Sequence, residues 1–332
     1  MKHGGNIYKI SKKLGCKSEE IVDFSSNINA FHPKTEIIPT QEMILKYADP
    51  SYSSLKAAIS KKYGVKKREM ALFNGATAAI FELFRSLKEK NVVLYAPLYG
   101  EYETAALAAS KKISKINRFK ELYKKPKKGS IVVFVNPSTP EGKFYDLKAL
   151  FAIWEKQKCT IVLDESFVEF ENLPSFREKI RSCKRLYIIH SFTKFHACAG
   201  VRIGALFSNK KNIQRLSSPR WALSSFDAAF LTERLQEKGF VSKAQKEHLK
   251  HKEMLFEILQ SSGLFSKIYP GSANFFLVRS PQAQRIYDEL LKQKLLVRQC
   301  GNFDFLGDEH LRFAVKERAS LDLLKKALDA LA

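Results

Sequence analysis

Short runs of aliphatic and β-branched residues alternate with longer stretches of helical period through the middle of the chain. The runs at 91–95, 131–135, 160–163, 185–189 and 202–207 predict strands. Helical period appears at 76–87, where Ile80, Phe81, Phe84 and Leu87 share a face, and again at 147–155. Such alternation predicts an α/β fold, a mostly parallel sheet with helices on both faces. Beyond Pro219-Arg220-Trp221 the character changes. A Lys/Glu-rich helical stretch from 228 to about 264 precedes strand-like 274–278, a helix, a strand at 295–298 and a terminal helix from near Ser320. These predict a smaller α+β domain over 219–332. Residues 46–218 form the large domain, and 1–45 an N-terminal segment that joins the small domain and covers the site.

Composition narrows the class. Of the 332 residues 45% are hydrophobic and 27% charged, which excludes disordered, collagen-like and coiled-coil chains. No apolar run reaches the roughly 18 residues of a membrane span, and the opening Met1-Lys2-His3-Gly4-Gly5-Asn6 lacks a signal-peptide core. Five scattered cysteines without a C-x-x-C motif predict free thiols, a cytoplasmic location and no metal site. His190, His196 and Cys198 lack the carboxylate partners of a metal centre and read as core. The net charge of +23 predicts attraction to anions. Its lysines are dispersed, however, and the 124–128 cluster holds a proline, so no specific nucleic-acid partner is expected. A basic nucleic-acid-binding protein on an α/β scaffold remains a rival, and it requires steeply salt-dependent binding.

Ligands of open α/β sheets sit at the carboxyl ends of strands. There the chain places Asp164, ending an apolar run, and Lys194 in Ser191-Phe192-Thr193-Lys194, with Arg202 eight residues on. Phe73-Asn74-Gly75-Ala76-Thr77 opens a helix whose free N–H groups suit an anion. Tyr99 follows another strand. Singly, each residue has a bland reading as a cap, a solvated lysine or packing; the ordered set carries the inference.

That set resembles the fold-type-I pyridoxal-phosphate enzymes of the class I/II aminotransferase superfamily. Within them it resembles the branch of histidinol-phosphate aminotransferases and L-threonine-O-3-phosphate decarboxylases. The opening His3-Gly4-Gly5-Asn6 with Asp23-Phe24-Ser25-Ser26-Asn27-Ile28-Asn29 looks like the decarboxylase pattern of cobamide synthesis. So do Ser191–Phe195, Tyr269-Pro270-Gly271-Ser272-Ala273-Asn274 and the two segments around Arg298 and Arg312. The resemblance implies a homodimer with shared active sites and a small phosphorylated amino acid as substrate. Lys194 would hold pyridoxal 5'-phosphate covalently, Asp164 would pair with its ring nitrogen, and Tyr99 would stack on it. Ala76, Thr77, Ser191, Thr193 and Arg202 would bind its phosphate, joined by Tyr47 of the neighbouring subunit. Arg312 would take the substrate carboxylate, with His3, Gly4, Asn27 and Arg298 around the substrate phosphate.

Two positions depart from the family pattern. Asn136-Pro137-Ser138-Thr139-Pro140-Glu141-Gly142 stands where N-P-N-N-P-T-G is usual, so the shorter Thr139 hydroxyl replaces an amide near the cofactor's phenolic oxygen. Phe167 replaces the usual tyrosine, as in decarboxylase-like members. Decarboxylation of threonine phosphate or serine phosphate leads, and amino transfer of the histidinol-phosphate type remains open.

Overall fold

Along Ile131–Val135, Val132 and Phe134 pack into one core while Ile131, Val133 and Val135 pack into another. The two-residue period of a strand therefore serves two buried faces at once, which demands an unbroken apolar run. The structure is a computed structural model, described over residues 4–32, 37–217 and 220–331.

In chain order the strands are β1 Val22–Asp23, β2 Met70–Asn74, β3 Asn91–Ala96, β4 Lys112–Asn117, β5 Ile131–Val135, β6 Thr160–Asp164 and β7 Leu186–Ser191. They continue as β8 Ile203–Phe207, β9 Lys267–Ile268, β10 Phe275–Arg279, β11 Leu295–Leu296, β12 Arg298–Gln299 and β13 His310–Ala314. Seven form the large sheet, ordered β2-β8-β7-β6-β5-β3-β4, in which β8 alone runs antiparallel to its neighbours. As a result the ends of β2, β3, β5, β6 and β7 and the start of β8 meet at one edge of the sheet. Helices Ser53–Tyr63 and Lys148–Lys156 cover one face, and Gly75–Ser86 and Glu101–Ala108 the other.

The second sheet, β12-β13-β10-β9, is antiparallel and carries helices Phe240–Ser261, Ala283–Lys292 and Arg318–Asp329. The N-terminal segment joins it. Ile10, Ile21 and Phe24 enter its core, and β1 pairs in parallel with β11. A fourth cluster, including Phe167, Phe170, Phe195 and Phe275, links the two halves.

The boundary at 219 differs from the packing. Helix Ser225–Gln236 buries Leu231 in the large-sheet core, because Phe226, Phe230 and Leu235 face the same way. Nor is 228–264 one helix. It breaks after Gln236, and Gly239 adopts φ 75°, a left-handed conformation that glycine tolerates. Among the described residues, no helix is long and apolar enough to cross a membrane.

Candidate active site

The strand ends at that shared edge surround a cavity of about 640 Å³. Asp164 terminates β6 and Ser191 terminates β7, and Lys194 follows in the turn. All three line the cavity, so the amine and the acid of the sequence reading share one cleft. Asp164 is buried. Its Oδ1 accepts from the Ser166 backbone N–H (3.0 Å) and hydroxyl (2.6 Å). Its Oδ2 accepts from the Tyr102 phenol at 2.7 Å.

Burial holds the Lys194 amine below its ordinary 10.5, and the charge of Arg202 adds to that, against the opposing pull of Asp164. Lys194 Nζ donates to Thr193 Oγ1 at 3.3 Å, which lies 2.9 Å from Ser191 Oγ. Asn29 braces this turn from the N-terminal segment. Its backbone N–H donates to Lys194 O and its amide to Phe195 O.

An anion cradle stands beside them. Helix Gly75–Ser86 begins with Asn74 making no side-chain cap bond; the Gly75 N–H donates to Arg202 O, and the next N–H groups of the first turn, from Ala76 and Thr77, are left for a ligand. Two glycines let Arg202 and β8 pack closely against this helix start. A Cβ on Gly75, at φ 78°, would come within 2.7 Å of Arg202 Nη2, and one on Gly204 within 2.3 Å of Ala76 N. Ala76, Thr77, Thr193 and Arg202 all face the cavity. Tyr99 joins them, its phenol 3.4 Å from Thr77 Oγ1.

The opposite wall comes from the small sheet and the N-terminal segment. Arg298 and Arg312 are direct cross-strand partners on β12 and β13, and both are buried and line the cavity. Arg312 donates to Thr139 Oγ1 (3.2 Å) and Ser25 O (3.0 Å), while its Nε is buried without a partner. Burial, aided by the charge of Arg298, pushes Arg312 down to about 10. Arg298 donates to Asn302 Oδ1 at 2.6 Å. Gly4 and Asn27 complete this wall, Thr139 and Phe167 line the cavity from the turns after β5 and β6, and the buried Asn27 Oδ1 has no partner.

Of the remaining sequence-derived candidates, His3 lies outside the described residues. Tyr47 is not in the cavity; it is 81% exposed and packs against Trp221, ring centroids 4.8 Å apart. Trp221, read from sequence as inter-domain packing, is itself 46% exposed. Two others gain partners. His190 and His196 both face Glu169, at 3.2 and 3.7 Å, beside Tyr63. That carboxylate comes from a turn more than twenty residues upstream, so it was invisible to local spacing. Burial pushes His196 down to about 3, and among the described residues no cluster has metal-holding geometry. Tyr102 and Ser166 were missed as partners of Asp164, although Tyr102 stands three residues after Tyr99 at a helix start.

A family model described as aminotransferase class I and II matches residues 19–331. An adenosylcobalamin biosynthesis bifunctional protein of Leptospira interrogans is 30% identical over 99% of this chain, which spans 40% of that protein's length. A threonine-phosphate decarboxylase of Salmonella typhimurium is 25% identical over 98% of this chain and 93% of its own. Among solved structures, a histidinol-phosphate aminotransferase from Clostridium acetobutylicum aligns with a TM-score of 0.81 at 27% identity. That alignment covers 93% of this chain and 98% of the other.

Proposed function

The chain belongs to the aminotransferase class I and II family and is a pyridoxal-phosphate-dependent enzyme, and we propose that it removes the α-carboxylate of a small phosphorylated amino acid such as threonine phosphate. The residues fit the cofactor. The uncapped helix start, with Arg202 packed against Gly75, suits its phosphate, and the carboxylate of Asp164 suits its ring nitrogen. Bound there, the cofactor supplies a cationic ring that accepts the electron pair left when a bond at the α-carbon breaks.

Each side chain has a part to play. The Lys194 amine, lowered by burial, sheds its proton more readily than a free lysine and so serves as nucleophile and proton carrier. Asp164, held by three donors, would favour the protonated form of the cofactor's ring nitrogen. Thr193, Ser191, Arg202 and the first-turn N–H groups would hold the phosphate end, and Tyr99 would lie against the ring.

The observation that carries the substrate reading is the pair Arg298 and Arg312. Like charges directly opposite on neighbouring strands destabilise a sheet, and here both are desolvated on one cavity wall. Two adjacent guanidiniums are offset by a ligand with two anionic groups, a carboxylate at Arg312 and a phosphate at Arg298. Threonine phosphate has both. Phe167, in place of tyrosine, leaves one hydroxyl fewer at the cofactor and supports decarboxylation. The protein also presents Ile38, Ile44, Leu45 and Tyr47 as exposed apolar residues. Their exposure supports a homodimer in which Tyr47 reaches the neighbour's cofactor phosphate.

The test is direct. Enzyme loaded with pyridoxal phosphate is given threonine phosphate or serine phosphate and assayed for carbon dioxide; histidinol phosphate with a keto acid is assayed for amino transfer. Gas release from threonine phosphate is expected. Amino transfer without gas would overturn the decarboxylase reading and leave the aminotransferase.

A further inference from the structure

Arg118 lies outside the cavity, fully buried, and every one of its five N–H donors is used. Nε donates to Glu141 Oε1 at 2.8 Å, and Nη2 bonds Glu141 Oε2 and the Thr139 carbonyl (3.0 Å). Nη1 donates to the Tyr95 carbonyl at 2.9 Å and to that of Pro97. Glu141 is equally enclosed. Its Oε1 also accepts from Ser138 Oγ at 2.6 Å and the Tyr145 phenol at 3.2 Å. Burial alone would raise the Glu141 carboxyl, but the charge and hydrogen bonds of Arg118, with Ser138, outweigh it and hold it below 4.5.

The carbonyls chosen are informative. Tyr95 and Pro97 belong to the exit of β3, immediately before Leu98 and Tyr99, which face the cavity. Thr139 belongs to the turn after β5, and its hydroxyl meets Arg312. One guanidinium thus ties together the segments that carry Tyr99 and Thr139. A buried ion pair is weak grounds for stability, since desolvation offsets its attraction, whereas five directed bonds to two separate loops fix their spacing. We propose that Arg118, clamped by Glu141, is a positioning residue that sets the distance between the Tyr99 and Thr139 walls of the cofactor site. This rests on the proposed reading of that site.

Displacements of about 1 Å at such walls are costly to function while scarcely altering the fold. Arg118→Lys keeps the charge and a bond to Glu141, yet a single ammonium cannot also span the three carbonyls of Tyr95, Pro97 and Thr139. The expected result is a cofactor-free melting temperature close to the parent's. Alongside it, pyridoxal phosphate affinity falls by about tenfold in an absorbance titration, and the visible band of the bound cofactor shifts. Unchanged affinity and spectrum in a folded Arg118→Lys protein would overturn the proposal. So would losses that merely follow a lowered melting temperature. If Arg118→Lys does not fold, Glu141→Gln is read instead, since it keeps size but replaces one acceptor and the negative charge with an amide donor, and so frees the clamp. A smaller shift in the same direction supports the role, and parental behaviour overturns it. The titration needs no substrate, so a wrong choice between decarboxylation and transfer leaves this outcome intact.

Discussion

The phenol of Tyr102 donates to Asp164 Oδ2 at 2.7 Å, with both side chains buried and Asp164 lining the cavity. Burial, then the charge of Asp164, pushes the phenol well above its ordinary 10, so Tyr102 stays a donor throughout the neutral range. Removing this bond leaves Asp164 oriented by Ser166 alone. Tyr102→Phe is therefore expected to lower kcat by about 10- to 100-fold, the worth of a hydrogen bond to a charged group. Steady-state kinetics at saturating cofactor check it, with circular dichroism to establish that the fold is kept. An unchanged kcat would remove Tyr102 from the site's working parts.

Lys194 carries a prediction in two parts. Lys194→Ala is expected to lose turnover by at least about 10²-fold, the scale of a lost proton-transfer group, and to lose borohydride-stable labelling by the cofactor. The second part concerns pH. A lysine whose folded value lies below its unfolded 10.5 binds more protons when unfolded, so stability rises with pH between the two values. Its contribution is complete above 10.5 and is lost as pH falls through the folded value. Denaturant titrations of the cofactor-free protein should show that slope in the parent on the alkaline side of neutrality, and a shallower one in Lys194→Met.

The arginine pair is separable by kinetics. Arg312→Lys keeps a positive charge but gives up the planar fork that reaches Thr139 Oγ1, Ser25 O and a ligand together. KM for threonine phosphate is expected to rise about 10- to 100-fold, while cofactor affinity changes little. A variant whose cofactor affinity falls in step with KM would mean that Arg312 serves the cofactor instead.

Legibility from sequence followed burial. Strands β5, β6 and β7 are apolar throughout because both their faces are covered, and their runs stand out. The edge strand β4 reads Lys112-Ile113-Ser114-Lys115-Ile116-Asn117, and its exposed lysines, which discourage edge pairing, disguise it as loop. Strand β2 was hidden by running straight into the helix at Gly75. Asp164 and Lys194 announced themselves by position after apolar runs, and Arg202 by standing eight residues beyond Lys194 at the start of another. Arg118 and Glu141 did not, since their pairing depends on two loops that only the folded sheet brings together. Tyr102 lay within reach of inspection, one helical turn beyond Tyr99.

Tyr47 decides whether the site is built by one chain or two. It stands 81% exposed against Trp221, close in sequence to the exposed Ile44 and Leu45, and no described residue of its own chain carries it to the cavity. Tyr47→Phe is expected to leave association of the proposed dimer unchanged but weaken pyridoxal phosphate binding by about tenfold, through loss of one bond to a charged group. Sedimentation over a dilution series and an absorbance titration read the two effects separately. Mixing offers the sharper check. When subunits of Tyr47→Phe and Lys194→Ala are exchanged, half the dimers are mixed, and each mixed dimer has one site with Lys194 from one chain and Tyr47 from the other. At limiting cofactor, activity should climb above the sum of the separate proteins, towards about a quarter of the parent's for random exchange. A mixture that stays at the sum, with subunit exchange demonstrated, would place Tyr47 outside its neighbour's site.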